Sequence, residues 1–472
     1  MPGLRFLFTV VVLLLLLSAL LVGAKEPIQH VSIVHRHGAR DAPPLIHKGF
    51  ADVTQLTPSG ETMMQNLGKL LRVTYDSFIS SYDPDAYDVF SEDADNCIQS
   101  AHGVLQAFCY SSSPFFPIVR HTPMETDWLM GFNHMLPNMY ARPQWFFSYR
   151  NNDTLARAML STAELQTLSS EFGSWCTETP MQCALFAADA LQSRITAGNV
   201  STQLQAVFKA KLLPLSYGDN KHKFGFHSTD PYAVVGSPAY SLTAKVLHDA
   251  ATGDKKVCQY SVHDYAILGV LNVLGGIQLD DIDPKWLPRF GAVLTVTSYR
   301  NGNVSFSYAE PQQEAGSRLD YVSGLLPITV HCQTAEGSDY VASTCPLSDV
   351  WRHVNRSKPT MADPFCYLRP EDKCDILDAV PSAHCQYYRK YCPNEVCGPS
   401  AELDPSRNYT CVSFSKRKLM KNYLLAFILA GVVGAVVGIA IGAFIALLLR
   451  RTESREEHRR LVLNAEAGGT TA

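Results

Sequence analysis

The sequence lacks a large excess of charge of either sign. Its 40 Lys and Arg residues nearly balance 44 Asp and Glu residues, which leaves a formal net charge of −4 at pH 7. A nucleic-acid partner is therefore excluded from the expected functions, because binding to phosphate backbones needs a concentrated positive surface. Internal repeats and low-complexity segments are also lacking, which excludes a repeat architecture.

Long apolar runs are confined to the two ends of the chain. Residues 1–24 combine a positively charged start, an apolar run and a small-residue end, which predicts a cleaved signal peptide. An uncleaved membrane anchor is the alternative. A second run, bounded by Leu424 and Leu449, carries no charge and is long enough to cross a lipid bilayer as one transmembrane helix.

Together the two runs predict a single-pass type I membrane protein with residues 450–472 in the cytoplasm. Within the second run, Gly434, Gly438 and Gly442 lie four residues apart, a spacing that allows two membrane helices to pack as a homodimer. Residues 457–462 are similar to an acidic dileucine-type signal for a sorting adaptor, and a solvated basic tail is the alternative interpretation.

Cysteine and glycosylation sequons are plentiful between these two runs. The chain has 13 cysteines, an odd number that leaves at least one unpaired or intermolecular. This content predicts a glycosylated lumenal or extracellular domain, in the endosomal or lysosomal system or at the cell surface. The five sequons begin at Asn152, Asn199, Asn303, Asn355 and Asn408.

Six of the cysteines are crowded into residues 361–415, which show little apolar periodicity. Disulfides are therefore expected to order this juxtamembrane stalk. A zinc site is the alternative, which an oxidising compartment disfavours. The six are Cys366, Cys374, Cys385, Cys392, Cys397 and Cys411. Two others, Cys176 and Cys183, are close enough in sequence to link one loop.

Local patterns predict several elements of regular structure. Thr57 and Pro58 are a good N-cap and a good first residue for a helix. A strand is expected to end near Ser91, with a helix from about residue 93 to 108 after it. Asn301-Gly302 separates two alternating apolar runs, which predicts a hairpin.

The most informative stretch covers residues 30–40. Its β-branched residues Val31, Ile33 and Val34 predict a buried strand that ends before Gly38. Open α/β sheets bind ligands at the carboxyl ends of their strands. We therefore expect this strand to present its last charged residues, Arg36, His37 and Arg40, to a ligand.

The chemistry of these three residues suits an anion. Two guanidinium groups form a cradle for a phosphate or a carboxylate. An imidazole between two cations is biased toward its neutral form, which makes His37 a candidate nucleophile. His35 is offset by one position and is expected to face the other side of the strand. A charged loop after a strand is the alternative interpretation of the motif.

A second stretch, residues 257–271, again predicts a strand followed by a helix, with His263 and Asp264 between them. The two stretches together resemble the histidine acid phosphatase family, whose signature is Arg-His-Gly-x-Arg with a distant His-Asp pair. The resemblance covers about residues 30–355, and the run after residue 424 makes the chain similar to the membrane-bound members of that family.

The resemblance implies a Rossmann-like α/β fold, in which helices flank a central sheet and a smaller α-rich subdomain is inserted. The α/β domain would comprise residues 25–126 and 233–360, and the inserted cap residues 127–232. The resemblance also implies a disulfide between Cys332 and Cys345.

The same resemblance implies a role for each site residue. His37 would be the nucleophile that forms a phosphohistidine, while Arg36 and Arg40 bind the phosphoryl oxygens. His263 would add a donor to those oxygens, and Asp264 would protonate the leaving group. A protonated carboxyl favours acidic pH, and neither a metal nor a cofactor is expected.

One run departs from the family pattern. The family's third phosphate-binding Arg corresponds to Phe90, and the second Arg of the run corresponds to Asn96. Removing one preorganised cationic contact from a transition state costs about 2.7–4 kcal/mol, or roughly a hundred- to thousandfold in rate. The sequence therefore indicates either a phosphatase of weakened or altered activity, or a catalytically weak ectodomain that acts in membrane traffic or as a receptor.

Overall fold

The computed structural model describes the following residues of the chain: 27–42, 45–46, 49–50, 55–79, 81–109, 117–123, 127–131, 148–224, 234, 236–275, 287–312, 320–360, 366, 390, 392, 401–404, 410–413, 437–439, 441–448 and 450–451. The predicted signal peptide, most of the predicted stalk and the first half of the predicted membrane run lie outside these residues.

The strands of the described residues are β1 (Ile28–Arg36), β2 (Leu45–Ile46), β3 (Gly49–Phe50), β4 (Tyr87–Ser91), β5 (Arg120–His121), β6 (Val257–Val262), β7 (Val293–Tyr299), β8 (Asn303–Ala309), β9 (Leu326–Pro327), β10 (Val330–Gln333), β11 (Asp339–Ala342), β12 (Thr344–Pro346), β13 (Ala401–Asp404) and β14 (Thr410–Ser413).

The helices are α1 (Pro58–Tyr75), α2 (Asp95–Phe108), α3 (Asp153–Met159), α4 (Thr162–Phe172), α5 (Trp175–Glu178), α6 (Pro180–Thr196), α7 (Thr202–Val207), α8 (Leu213–Phe224), α9 (Tyr240–Thr252), α10 (Asp264–Val273) and α11 (Leu347–Val354). A π-helical turn, Phe208–Leu212, joins α7 to α8, and a 3₁₀ turn, Asn355–Ser357, follows α11.

The centre of the fold is an eight-stranded mixed sheet in the order β12-β8-β7-β1-β6-β4-β5, with β9 paired to β8. Strand β1 pairs in parallel with β6 and antiparallel with β7. In the β1–β6 register, Arg36 lies opposite Val262. The two motif-bearing segments, which are far apart in sequence, therefore lie side by side at the carboxyl ends of two adjacent central strands.

Helices cover both faces of the sheet, because the side chains of β1 alternate between two apolar cores. Ile33 packs in the core formed with α1 and α2, which includes Leu67 and Val104. Val34 packs in the opposite core with α9 and α10, which includes Leu242 and Ile267. The fold is thus the predicted mixed α/β arrangement of a central sheet between helices.

The start of α1 confirms the sequence prediction and is packed closely against the end of β1. The side chain of Thr57 accepts a hydrogen bond from the Gly60 backbone N–H at 3.1 Å. A Cβ at Gly60 would lie 2.0 Å from the carbonyl oxygen of Ala39, and one at Gly38 would lie 2.6 Å from the carbonyl oxygen of Gly60. Two glycines therefore allow the helix to approach the loop after β1.

Between β5 and α9, the described residues form helices α3–α8 with an apolar core of their own, which includes Leu168, Phe172 and Leu191. A disulfide joins Cys176 to Cys183, as predicted. Helix α4 begins at a capping box made by Ser161 and Glu164. This helical segment, α3–α8, is called the cap below.

The C-terminal part of the core also agrees with its prediction. Strands β7 and β8 form the hairpin expected around Asn301-Gly302, and a disulfide joins Cys332 to Cys345. Cys366 and Cys392 are each disulfide-bonded as well. The other four cysteines of the predicted stalk are Cys374, Cys385 and Cys397, which lie outside the described residues, and Cys411, which lies on β14.

Residues 437–439 and 441–448 of the predicted membrane run are helical, and they expose apolar side chains such as Ile439 and Phe444. Within the part of the chain that the structure describes, no helix has the length and apolar character needed to cross a membrane. Gly438 and Gly442 belong to this helical part, whereas Gly434 lies outside the described residues.

Candidate active site

The backbone around the site is fixed by the neighbours of β1. The Arg36 N–H donates to the carbonyl of Ala292 at 2.8 Å, and the His37 N–H donates to the carbonyl of Val262 at 3.1 Å. The Gly38 N–H donates to the Ser100 hydroxyl at 3.0 Å. The loop that carries the motif is therefore held by β6, by the chain before β7 and by α2.

His37 is buried and presents one ring nitrogen without a partner. Its Nδ1 lies 2.8 Å from the carbonyl oxygen of Gly38, which assigns the proton to Nδ1 because a carbonyl only accepts. Its Nε2 is buried with no hydrogen-bond partner among the described residues. Burial lowers the pKa of His37, and His263, Arg36 and Arg40 lower it further. The ring is thus a neutral imidazole with an available lone pair on Nε2.

The buried Arg36 side chain connects the cap with the predicted acid. Its Nη1 donates to Gln192 at 2.9 Å and to the carbonyl of Pro288 at 2.7 Å. Its Nη2 lies 3.2 Å from Asp264 Oδ2, and its guanidinium carbon lies 4.3 Å from the centroid of the Phe290 ring. Arg36 is therefore a fixed cation beside the carboxylate of Asp264.

Arg40 lies in the same charged neighbourhood, since its charge contributes to the lowered pKa of His37. Its Nη2 donates to both carboxylate oxygens of Asp189, at 2.9 and 2.8 Å. Its Nη1 donates to the carbonyl of Asp41 at 3.1 Å. Asp189 belongs to α6, the same helix that supplies Gln192 to Arg36.

His263 faces His37 and is held by Glu92, a carboxylate that immediately follows β4. The ring centroids of His37 and His263 are 4.8 Å apart in an edge-to-face arrangement. Glu92 accepts from the His263 N–H at 2.9 Å and from its Nδ1 at 2.7 Å. The hydroxyl of Tyr265 donates to the same carboxylate at 2.5 Å.

This environment gives His263 the opposite charge state from His37. Burial alone would lower the pKa of His263, but the neighbouring Cys97 sulfur, 3.7 Å from Nδ1, and the Glu92 carboxylate outweigh burial and raise it well above its ordinary value. Asp264 begins α10 directly after His263. The site therefore combines a neutral imidazole, an imidazolium, two guanidinium groups and a carboxylate.

Phe90, at the position of the family's third phosphate-binding Arg, is held by an aromatic neighbour and a cationic one. Its ring stacks on Tyr260 with a centroid distance of 5.4 Å, and the ammonium of Lys245 on α9 lies 5.5 Å from its centroid. It packs against the core that contains α9 and α10. Because side chains alternate along β4, the residue before the strand end faces this core.

Asn96, the other altered position, lies closer to the motif loop. It is buried in the first turn of α2, and its carbonyl accepts from the Ser100 hydroxyl, which in turn accepts from the Gly38 N–H. Its side-chain Oδ1 has no hydrogen-bond partner among the described residues. Asn96 is therefore a changed residue that contacts the support of the motif loop.

Sequence reasoning missed several residues of the site. Glu92 could have been predicted from the sequence, because it is a carboxylate directly after a strand and the carboxyl ends of such strands form ligand sites. The others, which come from the cap and from the chain before β7, carried no local signal; they are Asp189, Gln192, Pro288 and Phe290. No cluster of three or more His, Cys, Asp or Glu side chains that could hold a metal ion occurs among the described residues.

Comparisons with known proteins support the fold. No protein-family model matches the chain, and no curated protein matches it significantly. The phytase of Citrobacter braakii matches with a TM-score of 0.53 and 13% identity, over 72% of this chain and 100% of the phytase. The phytase of Klebsiella sp. ASR1 matches with a TM-score of 0.52 and 12% identity, over 73% and 100%.

A third match is the Hafnia alvei phytase in complex with myo-inositol hexakis sulphate, with a TM-score of 0.50 and 17% identity, over 73% of this chain and 100% of that one. At these identities the similarity establishes the fold alone. The chain therefore has a phytase-like α/β fold, with the His37 and His263 segments on adjacent strands of its sheet.

Proposed function

We propose that the chain is a membrane-anchored histidine acid phosphatase, which hydrolyses phosphate monoesters through a phosphohistidine intermediate. The observation that carries this proposal is the pair His37 and His263. The neutral ring of His37, whose Nε2 has no partner within the described part of the chain, has its centroid 4.8 Å from that of His263, whose pKa is raised. A nucleophile beside fixed positive charge is what attack on a phosphoryl group requires.

In the first step, Arg36, Arg40 and the imidazolium of His263 neutralise the phosphoryl oxygens. The lone pair of His37 Nε2 forms a bond to phosphorus while the bond from phosphorus to the ester oxygen breaks. Asp264, in its protonated form, transfers its proton to the departing oxygen, so the alcohol leaves neutral. The products of this step are the alcohol and a phosphohistidine.

In the second step, water attacks the phosphohistidine. The carboxylate of Asp264 accepts the proton of the attacking water, the bond from phosphorus to Nε2 breaks, and inorganic phosphate leaves. His37 regains its neutral form, because Gly38 continues to hold the proton on Nδ1. The cycle therefore returns Asp264 to its protonated state with no metal or cofactor involved.

The location is part of the same proposal. The signal-like residues 1–24 and the uncharged run between Leu424 and Leu449 support a single-pass type I protein of the endosomal or lysosomal system or the cell surface. The Cys176–Cys183 and Cys332–Cys345 disulfides are in keeping with such an oxidising compartment.

A second candidate function is a phosphatase-like receptor or trafficking ectodomain with little catalysis. The observation that favours it is the neutral Asn96 at a position where the family has a cation. In addition, Asp264 and Asp189 already engage both arginines. A pocket whose cations are engaged by carboxylates binds further anions less readily.

The deciding experiment measures the full-length protein in detergent on an aryl phosphate between pH 4 and 8. In a second measurement the protein is mixed with substrate labelled in its phosphate group, and an alkaline quench preserves any phosphohistidine for detection. His37→Ala is expected to abolish both turnover and covalent labelling. His248→Ala, which changes an exposed histidine on α9, is the matched control and is expected to retain both. Turnover by His37→Ala would reject the nucleophile, and no turnover by the unaltered protein would favour the receptor function.

A further inference from the structure

One helix of the cap contacts both arginines of the site. Asp189 and Gln192 lie three residues apart on α6, so their side chains share one face of the helix. Asp189 accepts from Arg40 at 2.9 and 2.8 Å, and Gln192 accepts from Arg36 at 2.9 Å. The cap therefore contributes directly to the anion cradle.

The two contacts differ in charge. Gln192 is neutral and buried, so it can orient Arg36 without competing for its charge. Asp189 is an anion whose two carboxylate oxygens both accept from the Nη2 atom of Arg40. A carboxylate and a phosphoryl group are alternative acceptors for a guanidinium group. The side chain of Arg40 is only 13% exposed, so solvent screens its pair with Asp189 weakly.

The second terminal nitrogen of Arg40 is engaged as well, because Nη1 donates to the carbonyl of Asp41. These contacts use at most three of the five N–H donors of Arg40, but a phosphoryl oxygen that approaches Nη2 must share or replace Asp189 there. The acceptor from the cap is the one that carries negative charge, and it would lie beside the incoming anion. Its presence should weaken the binding of that anion.

We propose that Asp189 is a specificity-determining residue that competes with the phosphoryl group for Arg40 and thereby sets the affinity of the site for phosphate. This inference rests on the proposed function, because it takes Arg40 as a phosphoryl ligand. Asp189 holds Arg40 while the site is empty and releases Nη2 when a phosphoryl group binds. The ligand class is a phosphate monoester or inorganic phosphate.

The test is equilibrium binding of inorganic phosphate to the full-length protein, measured by titration calorimetry at one pH and salt concentration. Asp189→Asn keeps the shape of the side chain and removes its charge. Its Kd for phosphate is expected to be about fivefold lower than that of the unaltered protein, as expected when a competing ion pair is removed. Asp189→Ala, which removes the acceptor entirely, is expected to change the Kd in the same direction.

The chain offers a matched control on the same helix. Arg194 of α6 pairs with Glu171 of α4, and both side chains are about one-third exposed. Glu171→Gln therefore removes a carboxylate–arginine pair from the cap without touching Arg40. Its Kd for phosphate is expected to stay within twofold of the unaltered value, and thermal unfolding shows whether each variant is folded.

The outcomes separate the inference from the function on which it rests. Equal Kd values for Asp189→Asn and the unaltered protein would overturn the competition while leaving phosphate binding intact. Weaker binding by Asp189→Asn would also overturn it, because Asp189 would then position Arg40 for the phosphate. If neither protein bound phosphate, the cradle of the proposed function would fail, and the inference would fail with it.

Discussion

His37 and His263 show how two identical side chains acquire opposite charge states a few ångströms apart. The carbonyl of Gly38 holds a proton on Nδ1 of His37, and burial beside cations keeps that ring neutral. The carboxylate of Glu92 supports the charged form of His263. The groups around each ring, rather than the residue type, therefore make His37 the proposed nucleophile and His263 the proposed cation.

Glu92→Gln tests this division directly. A neutral amide no longer stabilises the imidazolium, so the pKa of His263 is expected to fall by about one unit or more. Because the charged His263 is a proposed phosphoryl ligand, the Kd for inorganic phosphate should begin to rise at a lower pH in Glu92→Gln than in the unaltered protein, as titration calorimetry across a pH series would show. Tyr265→Phe is the control, since it removes another hydrogen bond to Glu92 but leaves its charge. The same pH dependence of the phosphate Kd in Glu92→Gln and in the unaltered protein would contradict the assigned role.

Phe90→Arg tests the placement of the altered family position. An arginine there would replace a ring that stacks on Tyr260 and would face the ammonium of Lys245. We expect a loss of about 1–3 kcal/mol in the free energy of unfolding, and no gain in phosphatase rate. Denaturant unfolding and an aryl phosphate assay measure the two effects, with Phe90→Leu as the size control. An increase in rate would show that this position does reach the site.

At the residue scale, the two sequence motifs predicted which side chains converge at the site. Arg36 and Asp264 are 3.2 Å apart at adjacent strand ends, as that prediction requires. The sequence could not predict Asp189 or Gln192, because their position depends on how the cap packs over the sheet. It also gave no indication of what Phe90 packs against, because that depends on the helices that cover β4.

The contact between α1 and the loop after β1 links a secondary-structure element to the site. Thr57 and Pro58 were sufficient to predict where the helix begins, because capping is a local property. The closeness of the approach was not predictable, because it depends on Gly38 and Gly60 meeting across a tertiary contact. The position of the motif loop therefore depends on two residues that have no chemical role.

Gly60→Ala should consequently disturb both stability and catalysis. The added Cβ would lie 2.0 Å from the Ala39 carbonyl oxygen, so the helix and the loop must separate. We expect unfolding to become easier by about 1–3 kcal/mol, together with a lower kcat/KM, because Arg40 follows Ala39 in the chain. Gln65→Ala, an exposed change on the same helix, is the control. Unaltered values for both quantities in Gly60→Ala would show that the loop tolerates the shift.

Two histidines, His35 and His353, have lowered pKa values in the folded protein, which makes the stability of the whole molecule depend on pH. Burial lowers the pKa of His35 to about 4, and its Nε2 faces the amide of Gln259 at 2.8 Å. Burial also lowers the pKa of His353 to about 4, helped by the nearby His331. The raised pKa of His263 acts in the opposite sense, because the folded state holds that proton more tightly.

Between pH 6.5 and about 4 the unfolded chain binds a proton at His35, whereas the folded chain does not. The free energy of unfolding is therefore expected to decrease as the pH is lowered across this window, by up to about 3 kcal/mol for His35 alone. Denaturant unfolding at pH 7.5 and pH 5 measures the loss, and His35→Gln should reduce it. A stability that rises on acidification would show that the charged His263 dominates instead.

At the scale of the whole molecule the fold class was predictable from the family resemblance of the two motifs, which implies a central sheet between helices. The sheet order was not, because pairing β1 with both β6 and β7 depends on contacts between distant segments. The motif resemblance supplied that juxtaposition indirectly. The cap was visible only as a helical segment, and its contacts with the arginines required three-dimensional information.

The central position of β1 has a consequence for biosynthesis. Both neighbours of this apolar strand, β6 and β7, come from the second half of the chain. At translation rates of about 5–20 residues per second, the strand leaves the ribosome roughly ten to fifty seconds before its partners are complete. Its unpaired edges are exposed during this interval, and such edges promote aggregation. A nascent chain interrupted before Val257 would therefore depend on chaperones and would contain only half of the active centre.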